Sequence, residues 1–213
     1  YAVVEANSGA GGRAQYLLNI DISDAVAPRV ASVVGLPAEG ATSSEVISSL
    51  SLTFSERMDP ATVLAAGDFD LREAGLDGTF GSGDDVPIMV NVGSTFNEFS
   101  RSITLLLQQG PLASGLYQFS AANTVCDRAG NQIDGDGDGN GGDPFTRTFT
   151  LDLSAAYVLE GPSNDALSGA TSIPLTEDPA DRGLLLGFGL GSIDPTSDLD
   201  WWSFAAQAGD RVA

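Results

Sequence analysis

Ser51-Leu52-Thr53-Phe54-Ser55-Glu56-Arg57-Met58-Asp59-Pro60-Ala61-Thr62-Val63 carries the first decision about the fold. Ser51 to Phe54 alternates polar and apolar side chains, the period-two signature of a strand with one buried face. The alternation then stops. Asp59 is a good N-cap and Pro60 suits the first helical position, so a short helix or turn is expected there. A strand followed by one capped turn predicts a β-protein with a local excursion.

Working outward, candidate strands fall at 29–34, 47–54, 68–73, 86–92, 102–108, 115–121 and 145–152. Leu116-Tyr117-Gln118-Phe119 alternates as cleanly as the first run. Ile103 to Leu107 is more continuously apolar, as a strand covered on both faces would be. The 26 Gly and 10 Pro favour many turns between short strands. Seven strands with turn signals between them predict an all-β chain built on an Ig-like β-sandwich.

The flanks read differently. Tyr1-Ala2-Val3-Val4-Glu5 and Gln15-Tyr16-Leu17-Leu18-Asn19-Ile20 alternate around a Gly-rich stretch, as a hairpin or two edge strands would. After residue 153, short strands are expected at 170–173, 183–191 and 201–204, with a buried Trp–Phe pair in the last. Tyr1 lies inside a strand-like run, and Arg211-Val212-Ala213 reads as a strand cut short, so the sequence is expected to be an excerpt of a longer polypeptide.

The 213 residues include 29 acidic and 9 basic side chains, a net charge of −20. All the basic residues are Arg, and there is no His. That excludes a Ser–His–Asp triad, a His general base and an imidazole zinc site. The single Cys closes no internal disulfide. Cys126 has no candidate base beside it and is expected to be a buried, inert thiol. So acidic a chain is not built for nucleic acid or for an anionic membrane surface, and no apolar run reaches the ~18 residues of a span. An acid-pair hydrolase needs only two carboxylates, but no feature picks out one pair. The chain is expected not to be an enzyme.

The acids gather in two Gly-rich stretches. Asp134-Gly-Asp136-Gly-Asp138-Gly-Asn140-Gly-Gly-Asp143 spaces carboxylates as a calcium loop requires, since Ca2+ takes six to eight oxygens at about 2.3–2.6 Å. It begins like an EF-hand loop, but the twelfth position is Phe145 instead of Glu, and no helices flank it. Asp134, Asp136, Asp138, Asn140 and Asp143 are the expected ligands. Asp77-Gly-Thr-Phe-Gly-Ser-Gly-Asp84-Asp85 is the second stretch, with Asp77, Asp84 and Asp85 as expected ligands. A solvated Asp-Gly linker is the plainer reading of the first, and a hairpin loop with incidental acids that of the second. Asn164-Asp165 with Asp198 and Asp200 is a weaker third set.

Four segments in order, Leu52 to Val63, Phe69-Asp70-Leu71, Gly115-Leu116-Tyr117 and Asp127-Arg128-Ala129-Gly130-Asn131, resemble the bacterial Ig-like domain of S-layer and other large surface proteins. The resemblance implies a sandwich used as a spacer without catalysis. Asn164-Asp165, Asp198-Leu-Asp200-Trp201-Trp202-Ser203-Phe204 and Ala208-Gly209-Asp210-Arg211-Val212 are similar to the start of a pre-peptidase C-terminal (PPC) domain, a jelly-roll-like β-sandwich. The expected organisation is therefore residues 1–24 as the close of one PPC-like module, 25–153 as the Ig-like domain, and 154–213 as the start of another PPC-like module. Such a chain would be extracellular or on the cell surface. It would be part of an adhesin-like repeat protein, with neighbouring β-domains as partners and calcium as cofactor. The alternative is an accessory module on a secreted hydrolase that binds a glycan or an extracellular matrix protein, using Trp201 and Trp202.

Overall fold

A computed structural model describes residues 24–65, 67–93, 96, 99–108, 111–153, 157–161, 163–193 and 198–212. The expected strands at 1–5 and 15–20 lie outside the described residues. Nine strands form two facing sheets: β1 (Val30–Val34), β2 (Thr42–Ser43), β3 (Ser49–Phe54), β4 (Phe69–Glu73), β5 (Val86–Ile88), β6 (Val90–Val92), β7 (Ser102–Leu107), β8 (Gly115–Ala121) and β9 (Phe145–Leu151). One sheet has the order β1-β3-β7-β6 and the other β2-β9-β8-β4-β5.

The alternation read in the sequence sets the register. Leu50, Leu52 and Phe54 of β3 face the core with Ile103, Leu105 and Leu107 of β7. On the outer face of the same pair, Ser51 meets Thr104 and Thr53 meets Ser102, each at 2.9 Å between hydroxyls. Such cross-strand pairs hold register without burying apolar area. From the other sheet Phe69, Leu71, Tyr117, Phe119, Phe149 and Leu151 enter the same core. Phe119 stacks on Phe69 at 6.3 Å between centroids, and Tyr117 stacks on Phe149 at 5.7 Å. The Tyr117 hydroxyl donates to the Ala113 carbonyl at 3.0 Å, which gives a buried phenol its partner. Burial, and then the Glu73 carboxylate, push that phenol up to about 12.

The capped turn is present as α1 (Pro60–Val63), with Asp59 Oδ1 accepting the Ala61 N–H at 3.0 Å. Two expectations need correction. The run 86–92 is not one strand: β5 pairs with β4 in one sheet and β6 with β7 in the other, and the chain changes sheet at the exposed Met89. β7 is covered on one face only. Leu106 is 48% exposed, because no layer lies over the outer face of its sheet among the described residues.

Beyond the sandwich lie β10 (Tyr157–Leu159), β11 (Thr171–Ser172), β12 (Thr176–Glu177), β13 (Leu185–Leu186), β14 (Phe188–Leu190) and β15 (Trp202–Ser203). They form three two-stranded pairs: β10 with β14 and β11 with β15 in parallel, and β12 with β13 antiparallel. The Trp–Phe pair expected to be buried is not. Trp201 and Phe204 stand 42% and 46% exposed, while the Trp202 ring packs against Gly189 and Gly191. Two-stranded pairs have too little second layer to bury both faces. No described helix is long and apolar enough to cross a membrane.

Candidate cation loops and the acidic end of the sandwich

The loop before β9 folds on itself through Asp134. Its Oδ1 accepts the Gly137 N–H at 2.8 Å and its Oδ2 accepts the Gly139 N–H at 3.0 Å. Asp136 Oδ1 accepts the Asp138 N–H at 2.9 Å, and Asp138 Oδ1 accepts the Asn140 N–H at 2.7 Å. The Asn140 backbone and side-chain amides hold the Asp138 carboxyl below its usual range. These turns bring Asp134, Asp136 and Asp138 together, one oxygen of each lying within 4.8 Å of the others, with Asp134 buried and the other two exposed. Asp143 closes the loop, bridging Asp134 and accepting the Gly135 N–H on Oδ2 at 3.3 Å. Asn140 aims its amide at Asp138, at 3.0 Å.

Glycine is required where the loop meets its neighbours. A Cβ on Gly135 would stand 2.2 Å from the Pro144 carbonyl, and one on Gly141 would stand 2.3 Å from the Gln132 carbonyl. The loop is also tied to the incoming chain, since the Asp134 N–H donates to the Pro28 carbonyl at 2.7 Å.

Asp77, Asp84 and Asp85 are not gathered in this way; no group of three acids among them shares a 4.8 Å sphere. Asp84 Oδ2 accepts the Leu76 N–H at 2.8 Å and the Asp77 N–H at 3.3 Å, and Oδ1 takes the Ser82 hydroxyl. The Ser82 bond holds the Asp84 carboxyl below its usual range; burial opposes it, and the Asp77 and Leu76 amides add to it. Asp85 reaches back to Arg72, which also holds Asp70. In the C-terminal segment Asn164 is buried and donates to Asp200 Oδ1 at 3.2 Å.

A further trio escaped the sequence reading. Asp24, Glu56 and Asp127 bring carboxylate oxygens within 4.8 Å of one another. Asp127 is 2% exposed and caps its own turn, Oδ1 accepting the Ala129 and Asn131 N–H groups at 2.8 Å each and Oδ2 the Asn131 amide at 2.7 Å. Burial first, then Asp24 and Asp127, push the Glu56 carboxyl up. The trio borders an open cleft of about 650 Å³, where Arg57 lies over the Phe99 ring at 5.5 Å. A second cleft of about 470 Å³ runs from Glu56 to Asp134 beneath residues 25–27, so both acidic groups border the incoming chain. Separations of 32 and 71 residues hid the trio; the one local signal was Asp127 placed two before Ala129, whose N–H it accepts in an Asx-turn. Cys126 is half-buried, its Sγ donating to the Thr124 carbonyl at 3.2 Å, and burial and then Asp127 raise its thiol away from reactivity.

The model of a family described as the bacterial Ig-like domain matches residues 24–151. No curated protein matches the chain. Among solved structures it is similar to CopC from Methylosinus trichosporium OB3b, at 14% identity over 60% of this chain and 95% of that one, with a TM-score of 0.39. It is also similar to surface layer protein SbsC, domains 1–6, at 17% identity over 78% of this chain and 19% of that one, with a TM-score of 0.37. The N-terminal part of SbsC aligns at 16% identity over 76% and 33% of the two chains, with a TM-score of 0.37. The chain thus spans about a fifth of the six-domain SbsC structure.

Proposed function

The chain belongs to the bacterial Ig-like domain family, and on that premise we propose that it is a non-catalytic spacer segment of a large secreted or cell-surface protein, stiffened by Ca2+ in the loop 134–143. The observation that carries this reading is the convergence of the Asp134, Asp136 and Asp138 carboxylates within 4.8 Å. Three carboxylates so close repel one another, and a hard cation that takes oxygen ligands relieves the repulsion. Because Asp134 is bonded to Pro28, an ion in this loop also fixes the connector through which the chain enters the sandwich. In a string of β-domains that connector sets the angle between neighbours. Residues 1–24 and 154–213 are, in this reading, parts of neighbouring PPC-like modules.

An ion that binds only the folded form stabilises it by RT ln(1 + [Ca2+]/Kd), about 2.7 kcal/mol at a hundredfold excess over Kd. The test is a thermal melt of the full chain in EDTA and in millimolar Ca2+ at constant ionic strength. The expected result is a saturable rise in Tm that Asp136→Ala abolishes. An equal Tm in both buffers would leave the loop a solvated connector and reject the calcium part of the proposal.

A second reading is favoured by Trp201, which keeps 42% of its surface exposed in the C-terminal segment. A flat aromatic face of that kind suits a sugar ring or an extracellular matrix protein. A glycan array separates the two readings: a spacer leaves it blank, and binding that Trp201→Ala removes identifies an adhesive module.

A further inference from the structure

The connection 74–85 between β4 and β5 holds one carboxylate oxygen that its surroundings do not satisfy. The Asp85 side chain is 5% exposed. Its Oδ2 accepts the Gly81 N–H at 2.8 Å and Arg72 Nη1 at 3.3 Å. Its Oδ1 is sealed from solvent and meets no donor among the described residues. Arg72 does not make up the deficit, because its Nε is already given to Asp70 at 2.6 Å, so one guanidinium serves two carboxylates. A charged oxygen buried without a partner costs more than the roughly 1–3 kcal/mol of a neutral orphan. Something that carries positive charge or donates a proton belongs beside it.

We infer that the loop 74–85 encloses a divalent cation, calcium by its preference for oxygen, with Asp85 Oδ1 as the anchoring ligand. A Ca2+ ion sits about 2.3–2.6 Å from each ligand oxygen. The same loop supplies Asp77, an exposed carboxylate whose Oδ1 accepts the Thr79 N–H at 2.8 Å. Gly78 and Gly81, at φ +66° and +83°, let the backbone curl around an ion. Bound there, the ion braces β5, the edge strand of its sheet, to β4 through the chain Asp85–Arg72–Asp70. The inference rests on the calcium reading of this chain but uses no residue of the loop 134–143.

The test is native mass spectrometry of the full chain, stripped with EDTA and titrated with CaCl2, with MgCl2 as the comparison ion. Asp85→Asn is expected to hold one Ca2+ fewer than the unsubstituted chain, Asp136→Ala one fewer, and the double substitution two fewer. Full stoichiometry in Asp85→Asn overturns this inference and leaves the loop 134–143 as proposed. Full stoichiometry in Asp136→Ala overturns that proposal and leaves this one. Asp85→Asn also weakens the contact with Arg72, so amide hydrogen exchange on the unsubstituted chain supplies a second readout. At ten times Kd, exchange of the Leu76, Asp77 and Gly81 amides through local opening is expected to slow about elevenfold. Unchanged exchange at those three amides, the result if Oδ1 merely holds a water, overturns the inference whatever the variant does.

Discussion

Replacing Asp127 with Ala removes one carboxylate that holds the turn before the loop 134–143. Asp127 accepts three hydrogen bonds, from Ala129 N–H, Asn131 N–H and the Asn131 amide, at 2.8, 2.8 and 2.7 Å. A hydrogen bond to a charged group contributes about 1.5–3 kcal/mol. Ala129 is exposed, so its freed N–H turns to water and the low end applies. Three bonds at about 1.5 kcal/mol give about 4.5 kcal/mol. Part of this is returned, because the lost charge is one of those that push Glu56 up. The net cost expected is about 3–4 kcal/mol. At about 4 °C per kcal/mol for a domain of this size, Tm falls by about 12–16 °C. The assay can separate the sandwich from the rest. Both Trp residues, Trp201 and Trp202, lie in the C-terminal segment, while Tyr117 lies in the sandwich core. With Tyr1, Tyr16 and Tyr157 replaced by Phe in the reference chain and in the variant alike, near-ultraviolet tyrosine dichroism follows the sandwich and tryptophan fluorescence follows the segment. The reasoning fails if the tyrosine midpoint moves by less than about 4 °C, the shift worth about 1 kcal/mol. It also fails if the tryptophan midpoint moves by the same amount.

Two further outcomes are expected. The folded Glu56 carboxyl lies above its ordinary 4.5, so the folded chain binds more protons than the unfolded one between the two values, and stability falls as pH rises through that window. Glu56→Gln should therefore raise Tm at pH 7 in EDTA and leave it unchanged well below pH 4.5, where the carboxyl is protonated in both states; a lower Tm at pH 7 counts against the account. Gly135→Ala drives a Cβ to 2.2 Å from the Pro144 carbonyl at the start of β9, whereas Gly83, without a positive φ, faces open space. Gly135→Ala should cost about 1–3 kcal/mol and remove the calcium-dependent shift. Equal melts in EDTA for Gly135→Ala and Gly83→Ala would contradict the packing argument.

Most of the sandwich was legible because one-sided burial writes itself as alternation. Leu50, Leu52 and Phe54, like Tyr117 and Phe119, are spaced by two because the core lies on one side of their strands. β2 has two residues and pairs in parallel with β9 through Thr42 and Ser43, which leaves no period to read. The run 86–92 looked unbroken because a strand that changes sheets keeps its apolar residues and alters only its partners. Leu106 misled for a related reason: an apolar residue on an open face reads like one on a covered face. In the loop 134–143 the acids are close in sequence and therefore close in space. The trio of Asp24, Glu56 and Asp127 is assembled by the fold itself, and only the turn at Asp127 leaves a local mark.

The pairing of Asp134 with Pro28 fixes more than a connector. β1 begins two residues after Pro28 and β9 begins soon after the loop, so both strands start at one end of the sandwich and run toward the other. The chain therefore enters at one pole and leaves at the opposite pole, and tension on a string of such modules acts along the strands. It drags β9 lengthwise against β8, whose seven pairs from Gly115 with Leu151 to Ala121 with Phe145 are loaded together. Hydrogen bonds pulled in shear must break as a group, whereas those pulled open from one end break in turn. On the proposed spacer reading, the chain would resist force through its topology, and its lifetime under load would be set by the rate of unfolding rather than by the equilibrium stability.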